Sequence, residues 1–280
     1  GHKPAFIGYV RQGLLDAVVV GDVFTSPPAN AVLEAIRAVD TGSGVLLLLG
    51  NYSGDVMNFT LAAQLARKEG RRVELAIATD DVGAGFRDTP DMRRGVVGQV
   101  LIWKACGAAA EEGRNLAEVT SIATTVNALT RTLGVAASGC TVPTLGVPTF
   151  ALGDHELEFG VGHHGERGAR TIPNASADTI VDLMFPEVLD DLPFRAGDRV
   201  VTLVNGLGAT PLLELYIVHR RLRQRLDGAG IMVHRSFVGE YFTALEMAGF
   251  SITLSRVDDE LAQLLDAPAN GVLAGRTWPA

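Results

Sequence analysis

The feature that most constrains the fold is an unbroken run of aliphatic residues at positions 45–49, set between a helical pattern and a loop. A strand with one face in water alternates apolar and polar residues, so such a run indicates a strand buried on both faces of a helix-covered sheet. The segment before it predicts a helix that starts at Pro27 with Ser26 as its N-cap. Its apolar residues share one helical face: Val32, Leu33, Ile36 and Val39.

The same alternation of strand and helix continues along the chain and predicts an open α/β architecture. A helix to about residue 68 follows the run, and residues 133–161 have the Pro and Gly punctuation of antiparallel strands and turns. The other predicted strands are 73–78, 199–204, 230–237 and 250–257, and the other predicted helices are 94–112, 116–130, 177–189 and one beginning at Pro211. We therefore predict two abutting α/β domains, residues 1–130 and residues 131–280.

Composition narrows the class of protein. The 280 residues are 47% hydrophobic, which is enough for a large core, and a net charge of −8 offers no basic face to nucleic acid. Cys106 and Cys140 form no CxxC pattern, and their scarcity fits a reducing compartment. No apolar run approaches the ~20 residues of a membrane span, and the residues before the first predicted strand show no charged-then-apolar pattern of the kind typical of a signal peptide. We expect a cytoplasmic location.

Polar groups follow several predicted strands, where open α/β sheets bind their ligands. Asp55 comes shortly before a helical pattern, so helix capping is its favoured interpretation on the residues alone. Asp80 and Asp81 could hold a metal, although a solvated strand end is favoured. The loop at Gly206 is typical of a strand-to-helix turn.

The most unusual polar segment is residues 160–165, which matches GxGxxG and contains His163 and His164. No helix pattern follows it, so a nicotinamide-binding site is a weak interpretation. A metal on this pair with His155 and Glu158 is also disfavoured, because adjacent strand residues point to opposite faces. We predict no metal site. His163 is expected to be a solvated turn residue, whereas the flanking glycines make His164 a candidate nucleophile or acid–base group.

Several of these residues lie in segments that resemble one family, the ketose-binding K subunit or K domain of dihydroxyacetone kinases. The segments occur in family order over nearly the whole chain: 1–4, 8–9, 24–27, 51–59 (Asn-Tyr-Ser-Gly-Asp-Val-Met-Asn-Phe), 80–82, 93–95, 139–143, 158–166 (Glu-Phe-Gly-Val-Gly-His-His-Gly-Glu), 203–211, 214–216 and 249–254. The resemblance implies the K-domain fold and a phosphotransferase of the glycerone (dihydroxyacetone) kinase type, with an alcohol group as acceptor.

The resemblance also implies the roles of the site residues. His164 would add to the ketose carbonyl and hold the substrate as a covalent hemiaminal. Asp55 and His2 would hold the hydroxyl groups, with Asp55 accepting the proton as the terminal hydroxyl is phosphorylated. Gly1 and Gly50 would border the substrate.

The resemblance implies partners as well. The substrate would be a short ketose or related sugar, namely dihydroxyacetone, erythrulose or glyceraldehyde. ATP and Mg²⁺ would be bound on a separate L domain or subunit, or a phosphotransferase-system donor would act there, so we expect no cofactor on this chain. A homodimer is also implied.

This sequence departs from the family pattern at a few positions. Gly50 stands where many members have Lys, and the resulting Gly-Asn-Tyr loop resembles that of erythrulose kinases. His163 stands where an aliphatic residue is common. Arg167 replaces a usual Pro. The family's first strand and the loop before His2 are absent, so we expect a chain that begins at Gly1 to bind ketose poorly. A chain ending at Ala280 would stop near the end of the K domain.

Two other functions remain open from the sequence. A K-type chain without an L component could act as a ketose sensor or co-regulator rather than as a catalyst. A nicotinamide-dependent oxidoreductase rests on the GxGxxG match alone.

Overall fold

The computed structural model describes residues 1–85 and 88–269, and these form two β-sheets separated and covered by helices. The helices are α1 Ala29–Val39, α2 Ser53–Lys68, α3 Gln99–Glu111, α4 Leu116–Ala128, α5 Ala177–Asp191, α6 Leu212–Gly228 and α7 Asp259–Asp266. The strands are β1 Val45–Gly50, β2 Val73–Ala78, β3 Thr130–Ala136, β4 Glu156–Phe159, β5 Arg170–Pro173, β6 Arg199–Gly206, β7 Met232–Gly239 and β8 Gly249–Arg256. The predicted α/β fold class is confirmed.

The smaller sheet consists of β1 and β2, which run parallel with Val45 opposite Val73. Leu47 packs into a core with α1 and α2, whereas Leu46 and Leu48 pack against the core built on α3 and α4. The aliphatic run is therefore covered on both faces, as predicted. This arrangement points the carboxyl ends of both strands to the same edge.

The start of α1 differs from the prediction. Its N-cap is Pro28, and Ser26 accepts a hydrogen bond from Asn58 Nδ2 at 3.2 Å instead of capping the helix. The two consecutive prolines hold the chain extended until Ala29. The predicted apolar face is otherwise correct, since Val32, Leu33 and Ile36 are buried.

The larger sheet has the strand order β5-β4-β3-β8-β6-β7, with β6 and β7 parallel and the other pairs antiparallel. Alternate residues of β6 enter different cores. Val200 and Val204 face the core with α5 and α6, and Val201 and Leu203 face the core that includes α3. The sheet is thus covered on both faces.

Helix α3 lies between the two sheets and is buried on nearly every side, from Gln99 to Ala109. Its core includes residues of both halves of the chain, among them Val201 of β6 and Leu261 of α7. The division into residues 1–130 and 131–280 stays a prediction, and the C-terminal segment 270–280 lies outside the described residues.

Among the described strands and α-helices, β5 and α7 were not predicted. Strand β5 is short and polar, and it forms because β4 offers a pairing edge. Helix α7 is short, but its start has a recognisable signal, because the Asp258 carboxylate accepts a hydrogen bond from Leu261 N at 2.8 Å. Across the parts of the chain that the structure describes, no helix is long and apolar enough to cross a membrane.

Candidate functional site

A cavity of about 820 Å³ lies beside the small sheet and reaches the turn after β4. Its lining includes all five residues that the sequence singled out for the site: Gly1, His2, Gly50, Asp55 and His164. They come from three separate segments of the chain, namely residues 1–2, residues 50–55 and residue 164, which the fold brings together. Their chemical roles remain predictions.

The N-terminal segment is held in place by the connection between β7 and β8. Leu245 N donates to the Gly1 carbonyl at 2.8 Å, and the Thr243 hydroxyl donates to the Lys3 carbonyl at 2.9 Å. Gly208 allows the chain after β6 to pack closely against this connection, because a Cβ there would clash with the Leu245 carbonyl. The connection in turn positions His2.

His2 is only 8% exposed and is surrounded by rings. Its ring stacks on Phe24 at 4.8 Å and lies 4.8 Å from Phe242, while Nδ1 lies 2.8 Å from the Thr243 carbonyl. Burial and the neighbouring His164 lower the pKa of His2 to about 3. The ring is therefore neutral at pH 7, donates through Nδ1 to Thr243, and leaves Nε2 as an acceptor.

His164 lies in the turn at residues 163–165, shortly after β4 ends at Phe159. Gly165 has φ +75°, and a Cβ there would meet Cys140 Sγ at 2.6 Å, so the turn requires glycine. Glu166 holds the histidine from below: its Oε2 accepts from His164 N at 2.8 Å, and its Oε1 lies 3.4 Å from Nδ1. Burial opposes ionisation of Glu166, but the hydrogen bond and charge of His164 lower its pKa to about 2.

The structure corrects two expectations for His163. Residues 163–165 form a turn rather than a strand, so the side chains of His163 and His164 do not alternate, and their ring centroids are 4.6 Å apart. His163 is also 4% exposed, not solvated, because Phe242 and His2 lie against its ring at 4.3 and 4.7 Å. No local sequence signal marks this burial, since these neighbours are far away along the chain.

Asp55 is the third residue of α2 and does not precede the helix as the capping interpretation requires. Tyr52 occupies the N-cap position, and the Asp55 carboxylate accepts no hydrogen bond from any described residue. The acid still benefits from the helix dipole in the first turn. Its carboxylate, which lines the cavity, is available to a ligand.

Tyr52 is a site residue that sequence reasoning missed. Its ring lies 4.3 Å from the ring of His164, and its hydroxyl is buried without a hydrogen-bond partner among the described residues. Burial raises the pKa of Tyr52, so the hydroxyl keeps its proton. The signal available was its place in the loop after β1, two residues beyond Gly50. A Cβ on Gly50 would meet Gln99 Nε2 at 3.0 Å, so this wall is tightly packed.

Asp80 and Asp81 are not the solvated strand end that was favoured. Asp80 is fully buried and accepts from Val96 N and Gly98 N, both at 2.8 Å. Asp81 pairs with Arg94 at 2.7 Å, and Arg94 also donates to the Gly160 carbonyl at 2.8 Å. Burial raises the pKa of Asp81 to about 7, against the effect of Arg94. Asp80 supports the backbone at residues 96–98, Asp81 supports the loop at Gly160 through Arg94, and neither lines the cavity.

The GxGxxG segment does not open a helix. Strand β5 follows it, and the next helix along the described chain is α5, which begins at Ala177. The nicotinamide-binding interpretation therefore lacks the helix N-terminus that it requires.

The sequence matches the Dak1 domain over residues 1–273. The chain belongs to the Dak1 domain family, which confirms the resemblance drawn from its motifs. One relative is the dihydroxyacetone-binding subunit DhaK of PTS-dependent dihydroxyacetone kinase 1 from Listeria innocua, 45% identical over 260 residues that cover 93% of this chain and 79% of the relative. Another is the D-erythrulose kinase of Mycolicibacterium smegmatis, 41% identical over 270 residues, covering 96% of this chain and 47% of the relative.

Solved structures agree with this assignment. The dihydroxyacetone kinase operon co-activator Dha-DhaQ superposes with a TM-score of 0.92 at 33% identity, covering 96% of this chain and 83% of that chain. The dihydroxyacetone kinase from C. freundii in complex with AMP-PNP and Mg²⁺ superposes with a TM-score of 0.89 at 36% identity, covering 100% of this chain and 51% of that chain. The predicted K-domain fold is confirmed.

Proposed function

We propose that this chain is the ketose-binding component of a dihydroxyacetone kinase-type phosphotransferase and that it holds a short ketose as a hemiaminal on His164. The observation that carries the proposal is the convergence of His2, Asp55 and His164 on one cavity, with the Asp55 carboxylate unpartnered among the described residues. The dihydroxyacetone-binding and erythrulose kinase relatives have sugars of this class as substrates by name.

The covalent step follows from the position of Glu166. With Nδ1 directed at Glu166, the lone pair of Nε2 on His164 adds to the ketose carbonyl carbon and the C=O π bond breaks. The carbonyl oxygen takes up one proton and Nδ1 of the imidazole releases one to solvent, while the Glu166 carboxylate stabilises the positive charge that the imidazole carries in between. The addition therefore needs no co-reactant and expels no leaving group.

Asp55 and His2 act on the substrate hydroxyls. A carboxylate without a protein partner can accept the proton of the terminal hydroxyl as that oxygen attacks a phosphoryl group. Nε2 of His2 accepts a hydrogen bond from a second hydroxyl, because its Nδ1 is committed to Thr243. Glycerol lacks a carbonyl and is excluded by the covalent step.

The phosphoryl group comes from a second component in this proposal. An L domain or subunit supplies ATP with Mg²⁺, or a phosphotransferase-system donor, and the K-type chains associate as a homodimer. The Listeria relative is named as one subunit of a PTS-dependent kinase, which supports a separate partner.

A second candidate is a ketose-dependent co-activator. It is favoured by the TM-score of 0.92 with the operon co-activator Dha-DhaQ. Both functions use the same ketose site. They differ in whether the bound sugar is then phosphorylated or stays bound unchanged.

One experiment separates them. The chain is incubated with dihydroxyacetone or erythrulose, ATP, Mg²⁺ and an L-type subunit from a related kinase, and sugar phosphate is measured. The kinase proposal expects phosphorylation that requires both proteins and is lost in His164→Ala. Sugar retention without phosphorylation under any donor would favour the co-activator instead.

A further inference from the structure

The cavity contains a group of three histidines, of which only His2 and His164 have a role in the proposed function. One ring nitrogen from each of His2, His163 and His164 lies within 4.8 Å of the others. The three rings lie at 4.6–4.8 Å centroid separation and come from two segments that meet only in the fold. His163 is the member without an assigned purpose.

The environment of His163 does not explain its presence as a core residue. It is 4% exposed, and its Nδ1 is buried without a hydrogen-bond partner within the described residues. A buried polar atom without a partner is costly, and native structures rarely retain one without a reason. An aliphatic side chain would fill the same space without leaving a polar atom unpaired.

The other two histidines have the outer partners that metal-binding histidines require. Nδ1 of His2 contacts the Thr243 carbonyl at 2.8 Å, and Nδ1 of His164 lies 3.4 Å from the Glu166 carboxylate. Such contacts fix the ring orientation and leave the opposite nitrogen free as a ligand. The site combines one carbonyl-supported and one carboxylate-supported histidine with a third that lacks a partner.

We propose that His2, His163 and His164 form a binding site for a divalent transition-metal cation of the zinc class. Three imidazole ligands are typical of Zn²⁺ sites that leave a fourth position open, and imidazole suits Zn²⁺, Cu²⁺ and Ni²⁺ rather than Mg²⁺. Tetrahedral bonds of about 2.0–2.1 Å place ligand nitrogens about 3.4 Å apart. The nitrogens therefore need to close by little more than an ångström to reach tetrahedral spacing.

The metal and the ketose would compete for the same atom. Nε2 of His164 is the free nitrogen in both cases, because Glu166 faces Nδ1. A bound cation removes the lone pair that adds to the carbonyl, so the metal inhibits adduct formation. This consequence rests on the proposed function, whereas metal binding itself does not.

The test begins with the full chain stripped of metal by a chelator. Zn²⁺ is titrated by calorimetry into the wild type, His163→Leu and the control His155→Leu, which removes an exposed histidine elsewhere. We expect one Zn²⁺ per chain in the wild type and in His155→Leu, and affinity weakened roughly 100-fold or more in His163→Leu. With Co²⁺ in place of Zn²⁺, the wild type should show the visible absorption of a tetrahedral site, and His163→Leu should not.

Two results would overturn the proposal: no stoichiometric Zn²⁺ binding to the wild type, or equal affinity in the wild type and His163→Leu. If His163→Leu does not fold, His163→Phe keeps an aromatic ring among Phe242 and His2 and serves the same comparison. A ketose arm then measures adduct with and without Zn²⁺. Loss of the adduct when Zn²⁺ is added to the wild type supports His164 as a metal ligand, and an unchanged adduct at saturating Zn²⁺ contradicts it. The calorimetry contains no ketose, so it tests metal binding even if the proposed ketose adduct does not form.

Discussion

The cavity histidines and the buried acids at Asp80, Asp81 and Asp191 differ in how far the protein satisfies their polar atoms. Asp191 is paired with both Arg93, at 2.6 Å, and Arg131, and Asp80 accepts two backbone N–H groups. In the cavity, by contrast, His163 Nδ1 is buried without a partner among the described residues. The Asp55 carboxylate is partly exposed and accepts no hydrogen bond from them.

This difference separates a structural role from a chemical one. Both regions contain buried titratable groups that follow strands, such as His163 after β4 and Asp80 after β2, so burial and position alone do not distinguish them. A carboxylate whose oxygens are all paired within the protein cannot bind a ligand as well, whereas a polar atom that lines a cavity without a partner can. Changes in the cavity should therefore alter chemistry with little effect on folding, and changes in the acid network should do the reverse.

The largest expected effect is in the cavity. His164→Ala should abolish retention of dihydroxyacetone in native mass spectrometry, because no nucleophile is left to form the hemiaminal. The thermal unfolding midpoint should stay close to that of the wild type, since the ring is partly exposed. If His164→Ala retained dihydroxyacetone at the wild-type level, the chemical role assigned to the cavity histidine would be wrong.

Asp55→Asn should slow phosphorylation with an L-type subunit by roughly 10²–10⁴-fold while the ketose adduct persists, because the amide cannot take the hydroxyl proton. Asp22→Asn is the matched control, since Asp22 also lines the cavity but has no role in the proposed mechanism. Equal losses in the two variants would mean that the charge of the cavity, not the position of Asp55, matters.

Asp191→Asn tests the other region. Removing one member of a buried ion pair leaves uncompensated charge, so we expect a loss of about 3–5 kcal/mol in the free energy of unfolding by urea. Adduct per folded chain should not change. Asp259→Asn breaks an exposed pair with Arg199 and should cost at most about 1 kcal/mol. A stable Asp191→Asn variant with impaired adduct formation would reverse the assigned roles.

Glu166→Gln should slow formation of the adduct on the order of tenfold. A hydrogen bond to a charged partner contributes roughly 1 kcal/mol more than a neutral one, and Gln keeps the contact with His164 N but loses the charge at Nδ1. Stopped-flow measurement of ketose binding gives the rate. An unchanged rate would show that Glu166 only supports the turn.

The smallest effect is a pH dependence of the acid network. Burial opposes ionisation of Asp191, but Arg93 and Arg131 lower its pKa below the ordinary 3.8. Its stabilisation is therefore complete above about pH 4 and is lost as the pH falls through the lowered pKa. The stability advantage of the wild type over Asp191→Asn should shrink by about 1 kcal/mol between pH 6.5 and pH 3. A constant difference would contradict the ion-pair assignment.

Much of the fold could be predicted, because apolar periodicity specifies elements such as β1, β2 and α1. Strand β5 could not be predicted, since it depends on the edge that β4 offers. In the site, the resemblance singled out Asp55 and His164, and both line the cavity, while their roles stay predictions. The burial of His163 and the hydrogen bonds to the Asp80 carboxylate depend on other segments of the chain. Only the assembled structure therefore shows which polar groups have partners.

The covalent bond between His164 and the ketose can be observed by ¹³C NMR of the chain with an excess of dihydroxyacetone labelled at its carbonyl carbon. We expect a protein-bound resonance of a tetrahedral carbon bearing oxygen and nitrogen, absent in His164→Ala. A bound resonance that keeps the shift of a free carbonyl would contradict it.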